Sequence, residues 1–132
     1  MSQENYAGSA AVSMVAGGTI TRNSCVSLNS SGQVIVTTAI TDVVFGVAQQ
    51  DAASGEQVPV LTVSGAIVTL VASGAIATIG TMLMPTASGA GKVIAAAGAT
   101  ALTCAQNITT AAASGDLFLA QLRPGVKSAA NT

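Results

Sequence analysis

The chain has 132 residues, of which only 7% are charged and 2% aromatic, with no histidine and a net charge of −1. A domain of this length buries about two-thirds of its unfolded surface, so it needs no covalent staples. Four basic residues cannot build a phosphate-binding patch, which argues against nucleic acid, and the lack of histidine removes the commonest general base and metal ligand.

The chain opens on "MSQENYAGSA", which is polar and has no basic n-region of a secretory leader. Short strand candidates then follow in order: Ala11–Val15, Ser24–Leu28, Gln33–Thr37, Val44–Gln49, Gln57–Val63, Ile67–Val71, Thr81–Met84, Lys92–Ala95 and Leu117–Leu122. Between them lie "NSSG", "AASGE", "VASG", "ASGAG" and "AASGD". In such phrases glycine supplies positive φ and serine bonds its neighbouring backbone, so each reads as a turn. Short strands punctuated this closely predict an all-β barrel or sandwich. Pro59 is expected at an edge or a strand start, because it cannot donate to a ladder. The one helical candidate is Ala95–Gln106, "AAAGATALTCAQ"; Gly98 weakens it, and a small-residue loop is the alternative.

Gln57 to Gly91 carries no charge, which raises a membrane span as an alternative. Pro59, Ser64, Gly65, Ser73, Gly74, Gly80 and Pro85 interrupt it every few residues. Strand–turn–strand fits this pattern better, and no membrane partner is expected.

The sequence repeats itself. "AASGEQVPVLTVSG" (Ala52–Gly65) returns as "AASGDLFLAQLRPG" (Ala112–Gly125). "GTITRNSCVSL" (Gly18–Leu28) resembles "GAIATIGTMLM" (Gly74–Met84), "GQVIV" (Gly32–Val36) resembles "GKVIA" (Gly91–Ala95), and "AIT" at Ala39–Thr41 resembles "ALT" at Ala101–Thr103. The reading is a pseudo-repeat of 18–65 and 74–125 within one β domain of 18–125. An N-terminal arm of 1–17 precedes it and a tail of 126–132 follows. Two copies are too few for a solenoid, so a pseudo-symmetric barrel or sandwich is expected. Glu56 and Asp116 stand just past the turn glycine in each copy. Each is either a turn-capping acceptor or one of a matched pair of acids at a subunit contact. Small residues in the arm suit a segment lying along another protein, with Tyr6 and Met14 as apolar anchors. Ala11–Val15 also reads as an ordinary first strand.

No site for chemistry emerges from the sequence. Asp51 and Glu56 flank one turn and face water. Cys25 and Cys104 have no evident activating base and read as small apolar core residues. "SGAGKV" at Ser88–Val93 fails as a phosphate loop, with Thr86 and Val93 where glycine and a hydroxyl residue are required. Tyr6, Phe45 and Phe118 are too few for a stacking platform. The expectation is a non-enzyme without metal or cofactor. Its charge-poor surface would be covered by other protein.

"VVFGVAQQDAASGEQVPVLTVSGAIVTL" (Val43–Leu70) resembles the small capsid cement, or decoration, proteins of tailed bacteriophages. The matching residues are Gly46-Val47-Ala48, Ala52–Glu56, Val58, Val60 and Gly65, then Ala112–Asp116, Phe118, Ala120 and Gly125 in degenerate form; "GKVIAAA" resembles the family's mid-chain hairpin. The resemblance implies a β-rich homotrimer on the outer surface of an icosahedral head. Its partners would be the major capsid protein and further copies of itself, and it would stabilise the contacts where capsid subunits meet. An adhesion or fibre module that binds a ligand or glycan through a β-sandwich is the alternative.

Overall fold

The computed structural model describes residues 11–39, 42–86, 91–96 and 102–127, with backbone alone for 124–127. All regular structure there is β. The strands are β1 (Ala11–Val15), β2 (Cys25–Leu28), β3 (Val34–Val36), β4 (Gly46–Ala48) and β5 (Gln57–Leu61). They continue with β6 (Ile67–Val71), β7 (Met82–Pro85), β8 (Val93–Ala95), β9 (Leu102–Asn107) and β10 (Leu117–Lys127). They form two five-stranded antiparallel sheets, ordered β1-β5-β4-β2-β3 and β6-β10-β9-β7-β8. The second order is the first with five added to each strand number. This is a small β-sandwich of two sheets.

The strands form where inward positions are apolar in alternation. Along β5, Val58 and Val60 are buried while Gln57 is exposed; along β10, Phe118 and Ala120 are buried while Leu117 and Leu119 are exposed. Val26, Val34, Val58 and Val60 gather with Ile20, Ala16, Ala48 and Ala52 into the first core. A second core joins Leu70, Ile76, Leu83, Val93, Phe118 and Leu122, and it also takes Cys25 and Val47 from the first sheet.

Each sheet is drawn together at its two edges by one parallel bridge, Ala16 with Val34 in the first and Ala72 with Val93 in the second. A single bridge is not a ladder, so neither sheet closes into a barrel. The connections match in detail. Ala16 N–H donates to the Glu56 carbonyl (2.8 Å) and Ala72 N–H to that of Asp116 (2.9 Å). Gly55 N–H donates to Ala16 and Gly115 N–H to Ala72, both at 2.8 Å. Ile20 bridges Ala52, and Ile76 bridges Ala111. Ala111, not Ala112, therefore stands opposite Ile76 as Ala52 does opposite Ile20, so the second turn is one residue longer.

Both Ala-Ala-Ser-Gly phrases are tight turns, with φ of 90° at Gly55 and 92° at Gly115. The acid after each glycine folds back on its own turn. Glu56 Oε1 accepts from Ala53 N–H (2.7 Å), and Asp116 Oδ2 accepts from Ala112 and Ala113 N–H (3.0 Å each).

Three expectations change, and of the two readings of Ala11–Val15 the strand holds. β1 occupies Ala11–Val15 and pairs along its whole length with β5, so these residues of the expected arm belong to a sheet. The cause is packing, since Met14 faces the first core. β10 runs to Lys127, past the expected start of the tail. Leu102–Gln106, inside the helical candidate, lies in β9, because pairing with β7 and β10 outweighs the weak local preference of an alanine-rich run. Residues 97–101 of that candidate, Gly98 included, fall outside the described residues. Pro59 sits within β5, which has β1 on one side and β4 on the other. Its carbonyl accepts from Gln49 N–H (2.9 Å), just beyond the end of β4. In an extended strand a residue's N and O point to the same side. The missing donor of Pro59 therefore falls where β4 has already stopped.

The halves meet at a backbone circuit. Cys25 N–H donates to the Gly91 carbonyl (2.9 Å), Gly91 N–H to Thr37 (2.8 Å), and Thr37 N–H to Cys25 (3.0 Å). Gly91 has a φ of 74°, and a Cβ there would lie 2.4 Å from the Cβ of Ser24.

Gly91→Ala therefore fails twice, on conformation and on space. Gly55 has positive φ but nothing within 4 Å of an added Cβ. We expect Gly55→Ala to cost about 1–2 kcal/mol and Gly91→Ala about 3 kcal/mol or more, read from urea midpoints; equal losses would show that the seam contact adds nothing. Thr37 is fully buried, and its Oγ1 has no hydrogen-bond partner. Thr37→Val should then raise stability by about 1 kcal/mol, because it replaces an unsatisfied hydroxyl with a methyl of the same shape. Asp116→Ala should lose about 1 kcal/mol through the two orphaned turn N–H groups. Glu56→Ala, which frees one, should lose less in the same assay.

Candidate interaction surface

Among the described residues no group of three or more Cys, Asp or Glu side chains could hold a metal, and no helix is long and apolar enough to cross a membrane. What the structure offers a partner is surface.

Of the expected contact residues, Tyr6 lies outside the described residues. Met14 is half-buried on β1 and packs against the first core. Glu56 is exposed, Asp116 is half-exposed, and both carboxylates are engaged by their own turns. The structure does not bring these residues together into one patch: Met14 serves a core, and the two acids serve two separate turns.

Apolar exposure is concentrated elsewhere. On β6 and β10 the outward residues are Ile67, Thr69 and Val71 with Leu117, Leu119 and Gln121, set by the pairs Leu117–Val71, Leu119–Thr69 and Gln121–Ile67. Leu117 is 59% exposed, Ile67 53% and Leu119 41%. Exposed Ile108 joins them, its N–H donating to the Leu119 carbonyl (2.8 Å). β6 is an edge strand, so this face borders an open sheet edge.

The first sheet supplies an internal control. The positions that correspond to Leu117, Leu119 and Thr69 are Gln57, Pro59 and Ser13, by the register of β1 on β5. There Ser13 Oγ donates to Gln57 Oε1 (2.7 Å). One fold position is therefore polar and internally bonded in the first half and greasy in the second. A backbone requirement would act on both alike, so the leucines answer to something other than the fold. The signal was in the sequence: "LFLAQL" is apolar on both faces, whereas "QVPVL" alternates.

A second feature is an open groove of about 640 Å³ on the first sheet, lined by Ser27, Leu28, Val43, Val44, Phe45 and Thr62. Leu28 and Val43 stand exposed along it. Asp42, also in its wall, accepts from Thr38 N–H (2.8 Å) and Ala39 N–H (3.1 Å), which ties it to its own loop.

Chemically, this arrangement can bury apolar area and add strands to an edge. The chain matches no family model and no curated protein sequence. Its fold is found in a solved structure, the crystal structure of the head fiber gp8.5 N base in bacteriophage phi29. The two superpose with a TM-score of 0.68 at 15% identity, over 89% of this chain and 96% of that one. At that identity what the two chains share is the fold.

Proposed function

We propose that this chain is a structural protein of a bacteriophage head. The observation that carries the reading is the fold likeness to a head-fibre base over nearly the whole of both chains. The exposed leucine and isoleucine face supports it, since soluble monomers rarely keep such contiguous apolar surface without using it. The low charge is suited to permanent coverage by other protein.

Within that reading we favour a cement role on the outer surface of the head. The turn-and-strand phrases around Gly46–Glu56 and Ala112–Asp116 support it, as they resemble decoration proteins. The partners are the major capsid protein and further copies of the chain, as a homotrimer. The outward face of β6 and β10 would supply apolar contact area. A trimer on a shell makes several such contacts at once, so modest single interfaces suffice. Tyr6 belongs to this proposal as an anchor in a contact arm now limited to residues before Ala11. A second reading is favoured by the nature of the similar structure, which is the base of a head fibre: a base module from which a fibre projects.

Electron cryomicroscopy of particles with and without the protein separates these readings. Density between capsid subunits on the outer shell is the expected result. Density only at the root of a fibre would establish the second reading, and a head without any difference density would refute both. Leu117→Thr combined with Leu119→Thr should lower retention on expanded heads at least about tenfold, which is roughly 1.4 kcal/mol. Both side chains are already exposed, so the melting temperature should move by no more than about 3 °C. Full retention would remove this face from the contact.

A further inference from the structure

One end of the first sheet is open where the same end of the second is sealed. By the register of the ladders, Val12, Leu28, Phe45 and Thr62 of the first half correspond to Val68, Pro85, Cys104 and Leu122 of the second. The second set is buried throughout, whereas Val12 and Leu28 are exposed and Phe45 and Thr62 half-buried. The cause lies in how the halves join. Cys25, Val44 and Val47 of the first half share one core with Val68, Cys104 and Leu122 of the second. The first half thus caps the second, and among the described residues nothing equivalent caps the first. The open groove of the first sheet lies at this uncapped end, with Leu28, Phe45 and Thr62 in its wall.

We propose that this groove receives an extended aliphatic segment of another protein, which adds to the first sheet as a strand beside Val44. The second half shows the lane such a strand takes. There β10 runs on past Leu122 along β9, with Val126 opposite Thr103 and Lys127 opposite Leu102. Thr103 and Leu102 correspond to Val44 and Val43. β5 instead stops at Leu61, because the chain turns at Gly65 (φ 94°) into β6. Its ladder with β4 ends at the pair Val47–Leu61, so the lane beside Val43 and Val44 is vacant among the described residues. Phe45 N–H donates to the Val26 carbonyl (2.7 Å), which turns that residue to β2. Successive residues of an antiparallel strand turn their backbone groups to opposite sides. The N–H and carbonyl of Val44 therefore face the vacant lane, and neither has a backbone partner among the described residues. An unpaired strand residue beside an apolar groove is what an added strand satisfies.

The seal inside the chain defines the chemistry of the occupant. Cys25, Val47 and Leu61 pack against the second core, so the segment that fits the first carries valine or leucine towards Leu28 and Phe45. Its pairing edge offers a free N–H and C=O to Val44. Asp42, the carboxylate of the wall, is held by Thr38 and Ala39 N–H, so the groove asks no charge of its occupant. A second copy of this chain does not supply the same seal. The counterparts of Cys25, Val47 and Leu61 on the second half are Met82, Gln106 and Gln121, and Gln106 is bonded to Gly80 and Arg123. Seating those amides against Leu28 and Phe45 would bury them without partners. The groove has this character whether or not the chain belongs to a head, so failure of the strand addition leaves the head-protein reading standing.

The test uses the purified full-length chain and an octapeptide of alternating valine and threonine, N-methylated at every second residue so that only one of its edges can pair. Affinity is read by titration calorimetry and amide hydrogen exchange by NMR. We expect saturable binding and slowed exchange at the Val44 N–H. The same peptide N-methylated at every residue should bind at least about tenfold more weakly, because it cannot donate to the sheet. Leu28→Asp combined with Val43→Asp should weaken binding by at least about tenfold as well. Both side chains are exposed, so the melting temperature should move by no more than about 3 °C. Ile79→Asp, at an exposed site outside the groove, should leave the affinity unchanged. Absence of binding, equal affinity for the fully methylated peptide, or slowing confined to Ile67–Val71 of the β6 edge would each overturn the proposal. So would slow exchange at Val44 without peptide: dependence on protein concentration would assign the lane to a second copy, and independence would assign it to the chain itself.

Discussion

Two buried alanines hold the architecture together. Ala16 and Ala72 are both fully buried, and each stands where the first strand of its half leaves its partner and reaches the opposite edge of the same sheet. Each donates to the carbonyl of a turn acid and accepts from a turn glycine. The bridging residue thus fixes three things together: the curl of the sheet, the first residue of the short third strand, and the position of the Ala-Ala-Ser-Gly turn. The crossing brings three backbone segments close, and packing at native density leaves no room for extra methylenes. A small residue is required there by geometry, and the valines of each core then have two sides to pack against. The repeated turn phrase exists to meet this crossing.

The two halves share a plan but do not meet as equals. Cys25 and Val47 on the first sheet are fully buried in the core dominated by the second half, and Leu61 packs against it. The matching positions of the second sheet are Met82, Gln106 and Gln121, all partly exposed. A two-fold relation would bury both sets against each other. The contact is instead head to tail: the outer face of one half rests on the other half, and the reciprocal face is left over. Gly91 marks the same asymmetry, since it enters the first half beside Ser24 and Thr37 with a conformation and a space that only glycine fits.

Much of this was legible from residues alone, where local chemistry decides. Gly32, Gly55, Gly91 and Gly115 have positive φ, each in a turn phrase recognisable from its Ser, Asn or Gly content, whereas Gly65 and Gly80 have it outside those phrases and Gly74, in "VASG", does not. β9 was illegible, because Ala105 and its neighbours prefer no structure and become a strand only between β7 and β10. Pro59 misled, because its exclusion from sheet interiors is a rule about ladders, and the adjoining ladder ends one residue short of it. For the surface, Glu56 and Asp116 drew attention as repeated charges, yet repetition reflected a shared turn. The informative positions were those where the halves differ. Leu117 and Leu119 escape notice in a single strand and stand out only beside Gln57 and Pro59, a pairing that requires the register.

A head-to-tail contact between similar halves carries a hazard, because nothing in the geometry stops a third unit from adding to the second half as the second adds to the first. The chain meets this chemically. On the second half the exposed counterpart of the docking face holds Gln106 and Gln121 where the first has Val47 and Leu61. Gln106 Nε2 donates to the Gly80 carbonyl (2.8 Å), and its Oε1 accepts from Arg123 Nη1 (3.0 Å). Covering that face with another half would strip water from amides and a guanidinium that have no new partners, a cost of about 1–3 kcal/mol for each polar group left unsatisfied. The outward face of the second sheet is thus polar at Gln106 and Gln121, which match the docking positions of the first, and apolar at Leu117 and Leu119, which match Gln57 and Pro59. Polar groups at one end of that face and leucines at the other divide it into a part that resists burial and a part that burial would favour.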